Sequence, residues 1–252
     1  MNEKELLESR IKELDKVSYS RDILRATGFL SLSEQSVFHG LSQDFLNRDN
    51  FLCGGHEDAD RRVGIFMPSY YSREGAEEEL ISCIRVRPVN ERFADELSHR
   101  DFLGALMNLG IERDRIGDIL TDGKKAYIFC LAEIADYICS SISSVKHTTV
   151  ILEKTAPGEC DIEPAYEECR VNTASDRADG VVAALYKLSR SQAQTLFSQE
   201  KVFADGRVVT DCSDRLKEGA RISVRGFGKF IYEGIDGTSR KGRLYVKVRR
   251  FV

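Results

Sequence analysis

The sequence predicts an α+β chain in three parts: a helical subdomain with a strand over residues 1–78, a βαββαβ plait over 79–156, and a small α/β module over 177–252, with a linker at 157–176 before the module. Three observations predict it. Apolar residues recur at helical spacing near the N-terminus. Strand and helix periods alternate in the order β-α-β-β-α-β between 81 and 154. A capped polar helix then runs into a glycine-turned hairpin near residue 200. At 42% apolar residues the chain can bury a core in each part.

Leu7, Ile11 and Leu14 stand at i, i+4 and i+7, and Val37, Leu41 and Phe45 at i, i+4 and i+8, so residues 3–47 read as helices with one apolar face each. Gly28 is placed to stop one helix, and Ser31 with Glu34 forms a capping box that opens the next. Gly54-Gly55 turns the chain, after which Val63, Ile65 and Met67 alternate as in a strand. Then follow strand ISCIRVRPV, helix HRDFLGALMNLG, strand IGDILT, turn DGK, strand AYIFC, helix LAEIADYICSSIS and strand TTVILEK. That order defines a ferredoxin-like plait, and Asp122-Gly123 marks its hairpin. Residues 155–176 hold two of the four prolines and much acid, which reads as a linker with a short strand near Val171. In the last part, helices at 179–188 and 189–198 pack through Leu185, Leu188, Ala193, Leu196 and Phe197 on a hairpin from Val202 to Val209. Ser189 and Gln192 cap the second helix, and Asp205-Gly206 makes the hairpin turn.

Composition narrows the function classes. No run of 18 apolar residues occurs, and the N-terminus MNEKELLESRIKELDK is charged and helical, so a membrane span and a signal sequence are not expected and the cytoplasm is. The seven cysteines are scattered without a C-x-x-C pair and read as reduced thiols. Cys53-Gly-Gly-His56 lacks a second ligand pair at zinc-finger spacing and reads as a tight glycine turn; no metal or cofactor is expected. Net charge is −4, but residues 177–252 carry 16 Lys and Arg against 8 Asp and Glu, a net +8, leaving −12 for the first 176. Such asymmetry suggests a polyanion at the C-terminal end, although a solvated basic face accounts for the same charge.

The module's polar positions sharpen the suggestion. Arg177, Lys187, Arg190, Gln194, Lys201 and Arg207 fall outside the apolar faces at spacings that bring several to one side. Guanidinium forks suit phosphate oxygens, and a compact platform reads folded RNA by shape. Arg190, first in its helix, either meets a phosphate there or pairs with Asp179 or Glu200 to hold the helices together. Residues 225–232, RGFGKFIY, match the consensus strand of an RNA-recognition motif at five of seven positions, but outside a plait; Phe227 reads as packing or as one stacking platform beside Arg225 and Lys229. Within the plait, Tyr127 and Phe129 share a strand face, with Arg85 and Arg87 alternating outward on the next strand. Those rings are either a stacking surface or core.

Arg177-Ala178-Asp179, Ser189-Arg190 followed by Ala193, Val202 to Gly206, and Lys217-Glu218-Gly219 before ARISV resemble the RNA-binding module named after small-subunit ribosomal protein four. Glu200 stands where that module usually has glycine, so the junction between helix and hairpin departs from the pattern. The resemblance extends along the chain. GGHEDADRR is similar to the GGYxxAERR stretch of the bacterial YlmH family, HRDFLGALMNLGIERDRIGDIL to its HRDxLGALxxLGIxRxxIGDI stretch, and RGFGKFIYEGIDGTSRKGR to its tail. His56, Asp60 and Asn47-Arg48 depart from the family pattern in the N-terminal loops. The resemblance implies a monomeric, non-enzymatic cytoplasmic binder of rRNA and tRNA backbone, acting on large ribosomal subunits that retain a nascent chain, beside a nascent-chain quality-control factor.

Other chemistry is excluded or kept as an alternative. His99-Arg100-Asp101 suggests a kinase loop, but Leu106 stands where asparagine is needed and no phosphate-covering glycine loop exists; His99 and Asp101 suit a helix start, leaving Arg100 for RNA. Gly104, Gly110 and Gly117 fit no nucleotide-binding spacing. An RNA-anchored modifying enzyme of pseudouridine-synthase type and a scaffold for division proteins are the alternatives.

Overall fold

The computed structural model describes residues 2–240 and 242–251. The chain forms two compact units, Met1–Glu163 and Pro164–Val252.

In the first unit, helix α1 (Glu3–Arg21) opens with a reciprocal cap in which the Glu5 amide donates to Asn2 at 2.8 Å and the Asn2 amide donates to Glu5 at 2.9 Å. Strand β1 (Arg25–Leu30) follows, a correction to the helical reading of 3–47. Gly28 stops no helix: it lies within β1, where an added Cβ would come within 2.8 Å of the Asp114 carbonyl. Its role is close approach rather than termination. Helix α2 (Leu32–Leu41) starts on the expected Ser31–Glu34 box. Strands β2 (Phe51–Cys53) and β3 (Arg62–Phe66) complete a three-stranded sheet in the order β1-β3-β2. Helix α3 (Arg73–Leu80) leads into the plait.

The plait consists of β4 (Ile81–Pro88), α4 (His99–Met107), β5 (Ile116–Thr121), β6 (Ala126–Leu131), α5 (Ala132–Ser141), the two-residue β7 (Ser144–Val145) and β8 (Thr148–Thr155). Strand order is β5-β6-β4-β8-β7, antiparallel throughout, which is the expected ferredoxin-like arrangement with one added edge strand. Period-two burial gives this sheet two different faces. Ile84, Val86, Ile128 and Cys130 pack under Phe102 and Leu106 of α4 and Ala135 and Ile138 of α5. Cys83, Tyr127 and Phe129 point the other way and pack against Phe29, Val63, Ile65 and Met67 from the N-terminal sheet. The first 78 residues and the plait therefore share a core.

In the second unit, β9 (Tyr166–Thr173), α6 (Ala178–Tyr186), α7 (Arg190–Ser198), β10 (Val202–Ala204), β11 (Arg207–Val208), β12 (Arg221–Val224), β13 (Gly228–Thr238) and β14 (Leu244–Phe251) form a six-stranded sheet, β11-β10-β12-β13-β14-β9, with both helices on one face. The short strand expected near Val171 within the 157–176 linker is the eight-residue β9. β9 pairs with β14 from Tyr166↔Phe251 to Thr173↔Leu244. The acid that read as linker is matched across the pair, Glu167 to Arg250 at 3.0 Å and Glu168 to Lys247 at 3.3 Å.

Asp205 and Gly206 both have positive φ, as a type I′ hairpin turn demands. Helix α7 ends in a Schellman motif, with Glu200 N–H donating to Phe197 and Lys201 N–H to Leu196, and Glu200 at φ 53°. The left-handed site where glycine was missing is thus retained and strained. Glu200→Gly is expected to stabilise this unit by about 0.5–1 kcal/mol, read as a raised midpoint in thermal melting.

Candidate nucleic-acid interface

The buried carboxylate of Asp179 organises the second unit's basic residues. It lies in the first turn of α6 with no exposed surface. Arg177, the N-cap of α6, donates from Nε to Oδ1 at 3.2 Å; Arg190 donates from Nε to Oδ2 at 3.1 Å, and Gln194 from Nε2 to Oδ2 at 3.0 Å. Arg190 and Gln194 are i and i+4 on α7, so one helix face meets the carboxylate twice. Burial alone would raise the Asp179 pKa, but hydrogen bonds from Gln194, Arg177 and Arg190 hold it below the usual carboxylate range. The carboxylate stays charged and fixes both guanidiniums while the Arg190 side chain remains 63% exposed. Of the two readings of Arg190, the pairing with Asp179 that ties the helices is the one observed, and the pairing leaves most of the side chain open to solvent.

The other basic positions lie around this centre in separate places. Lys187 is exposed at the far end of α6 from Arg177, in left-handed conformation. Lys201 and Arg225 are neighbours through an Arg225 N–H to Lys201 carbonyl bond of 2.9 Å, and Arg207 is exposed on β11. The Arg225 guanidinium lies over Phe203 at 5.9 Å, and the Lys229 ammonium over Phe251 at 4.7 Å. Lys229 belongs to the sheet face away from the helices, since its neighbour Phe230 is in the helix-packed core. Phe227 is 43% exposed and packs at a tilt against Tyr186, ring centroids 5.5 Å apart, as the packing reading expects.

Of the two readings of the plait's aromatic face, the rings are core. Tyr127 and Phe129 are 2% and 0% exposed beneath the N-terminal sheet, and Tyr127 donates its hydroxyl to Asp161 at 3.0 Å. No base can stack there. Arg85 and Arg87 both donate to Glu153 on the adjacent β8, at 2.9 and 3.1 Å. Arg100 is exposed at the start of α4.

Sequence reasoning missed what the GGHEDADRR and RIGD stretches do. They converge on Asp118 of β5. Its Oδ2 accepts from the Asp60 amide at 2.6 Å and lies 3.2 Å from His56 Nε2, and Oδ1 accepts from the Arg61 amide at 3.2 Å. Burial opposes its charge, yet the bonds from His56 and the two amides keep its pKa low. Arg61 reaches back to the carbonyls of Ile116 and Phe29, and burial with the nearby Arg61 charge brings Arg113 down to about 10. His56 stacks on Phe129 at 4.7 Å. This is a polar clasp between the N-terminal sheet and the plait. The visible signal was one charged residue within an otherwise uncharged strand.

Comparison with known proteins agrees with both units. Residues 81–159 match the family described as "Putative RNA-binding domain in YlmH", and residues 177–222 match the S4 domain. The chain is 30% identical over 231 residues, 90% of its length and 87% of the relative's, to the Ribosome-associated protein quality control protein P2 of Bacillus subtilis strain 168. The chain belongs to the YlmH family. A solved structure titled cell division protein ylmH from Streptococcus pneumoniae shares the fold over 65% of this chain and 96% of that one, with TM-score 0.50 at 22% identity. Within this YlmH chain, no helix among the described residues is long and apolar enough to cross a membrane.

Proposed function

We propose that this YlmH-family protein is a non-enzymatic, monomeric, cytoplasmic RNA-binding factor of ribosomal particles, gripping rRNA and tRNA backbone with its S4 unit and serving quality control of large subunits that retain a nascent chain. The observation that carries the reading is the Asp179-centred cluster, which holds two guanidiniums and an amide in fixed orientation on a unit of net positive charge. Pre-oriented forks lose little side-chain freedom when they meet phosphate. The name of the Bacillus subtilis relative supports the ribosomal setting. The partly buried His56–Asp118 pair supports a binding rather than catalytic role, since both Asp118 oxygens accept from the protein's own backbone amides.

The test is titration of the full chain with protein-free rRNA and with tRNA across a salt series. Affinity should fall steeply with salt as released counterions accumulate. Arg190→Ala is expected to weaken binding about tenfold, and Arg190→Lys to restore only part, because a point charge replaces a fork. A lowered melting point with unchanged affinity per folded molecule would reduce Arg190 to a strut. Any new modified or cleaved nucleotide seen by mass analysis would overturn the non-enzymatic reading.

A further inference from the structure

One cleft of the plait is lined by two backbone choices that the fold does not require. Gly104 is exposed in the middle of α4, and an added Cβ would meet nothing within 4 Å. Alanine would fit there and favour the helix. Lys146, in the two-residue connection between β7 and β8, has φ 52°, a conformation that glycine or asparagine adopts more readily. Both residues line the cleft formed by α4, the end of α5 and β7, together with Arg100, Asn108, Ser141 and Ser144. Arg100, Gly104 and Asn108 are spaced i, i+4, i+8 and so share one side of α4. The Lys146 ammonium is held at 2.8 Å by Asp101, whose carboxylate also accepts from Ser98, so this cation is positioned by a tethered carboxylate while nearly half of its side chain stays exposed.

Over Tyr127 and Phe129 the opposite face of the plait is closed by the N-terminal sheet, and Arg85 and Arg87, which stay partly exposed on that face, are both paired with Glu153. A nucleic acid that meets residues 81–159 finds no base-stacking surface on that face, whereas the cleft on the helical side offers it two cations. A glycine with no neighbour leaves a strip of helix backbone that a bulky polymer can approach closely, and two cations flank that strip.

We propose that this cleft is a second RNA site, in which the sugar–phosphate backbone of one strand lies along α4 at Gly104 with Arg100 and Lys146 on its phosphates. The inference rests on the RNA-binding reading above and adds a contact outside the S4 unit. It is tested in the full chain by titration with protein-free rRNA. Gly104→Ala should melt no lower than wild type yet bind about threefold more weakly, since the added methyl stands where the strand approaches the helix. Gly104→Glu and the double variant Arg100→Ala/Lys146→Ala, each checked for a native circular dichroism spectrum, should bind about tenfold more weakly. In the double variant the slope of log affinity against log salt should flatten by about 1.5, the loss of two phosphate contacts. Wild-type affinity and slope in both variants would overturn the cleft while leaving the S4 reading standing. Absence of RNA binding by the wild-type chain would remove both. Unchanged binding to protein-free rRNA with lost co-sedimentation on ribosomal particles would assign the cleft to a protein partner instead and overturn the proposal.

Discussion

Asp118→Ala is expected to cost the Met1–Glu163 unit about 3–4 kcal/mol of unfolding free energy. The substitution leaves the Asp60 and Arg61 amides without an acceptor and takes away the partner of His56 in a half-closed environment. Asp118→Asn, which keeps the shape and one acceptor oxygen, should cost roughly half as much. The chain contains no tryptophan, so far-ultraviolet circular dichroism in a urea titration is the suitable measurement. The sign of the pH dependence follows from the same contacts. The folded pKa of Asp118 lies below its ordinary 3.8, so its contribution is complete above that value and is lost as pH falls through the folded pKa. A loss under about 1 kcal/mol in the alanine variant would mean that the clasp is relieved by water and does not hold the N-terminal sheet to the plait.

Asp179→Ala is expected to act on stability and affinity together. Three hydrogen bonds from Arg177, Arg190 and Gln194 end on this carboxylate. Their loss should destabilise the Pro164–Val252 unit by about 2–3 kcal/mol, the exposed ends of both arginines being free to rehydrate. RNA affinity per folded molecule should fall about tenfold or more, since two forks lose their orientation at once. With its folded pKa below 3.8, Asp179 too gives stability that is full above that value and disappears as the pH drops through the folded pKa. Melting and rRNA titration of the same preparation separate the two effects. Lowered stability with wild-type affinity would make the cluster a brace alone.

The parts of the fold set by local pattern were legible. IGDILT and AYIFC became β5 and β6 almost residue for residue, because alternation, a DG turn and flanking helical periods agree with one another. β1 was not, because RATGFL lies between helices and Gly28 imitates a helix stop when its real constraint is Asp114, far along the chain. β9 was legible only as a short strand near Val171; its full length was not, because YEECRVNT exposes acid whose match is the basic β14, far along the chain, and composition cannot show a partner. The same limit applies to the site. Spacing named Arg177, Arg190 and Gln194 as one outward group, but that a buried carboxylate aims them is a property of packing. It likewise put Tyr127 and Phe129 on one strand face and left open what lies on it, which decided the question against base stacking.

The pairing of β9 with β14 bears on how the S4 unit answers tension. Tyr166, where the unit begins its sheet, stands opposite Phe251, where it ends. A pull applied between these two points loads the antiparallel ladder from one end, breaking its hydrogen bonds singly rather than shearing them all together. The unit would then open like a zip at low force, from the Tyr166–Phe251 end toward Thr173–Leu244, and the strain would reach α6, which carries Asp179, as Cys169 and Val171 are drawn from the core they share with it.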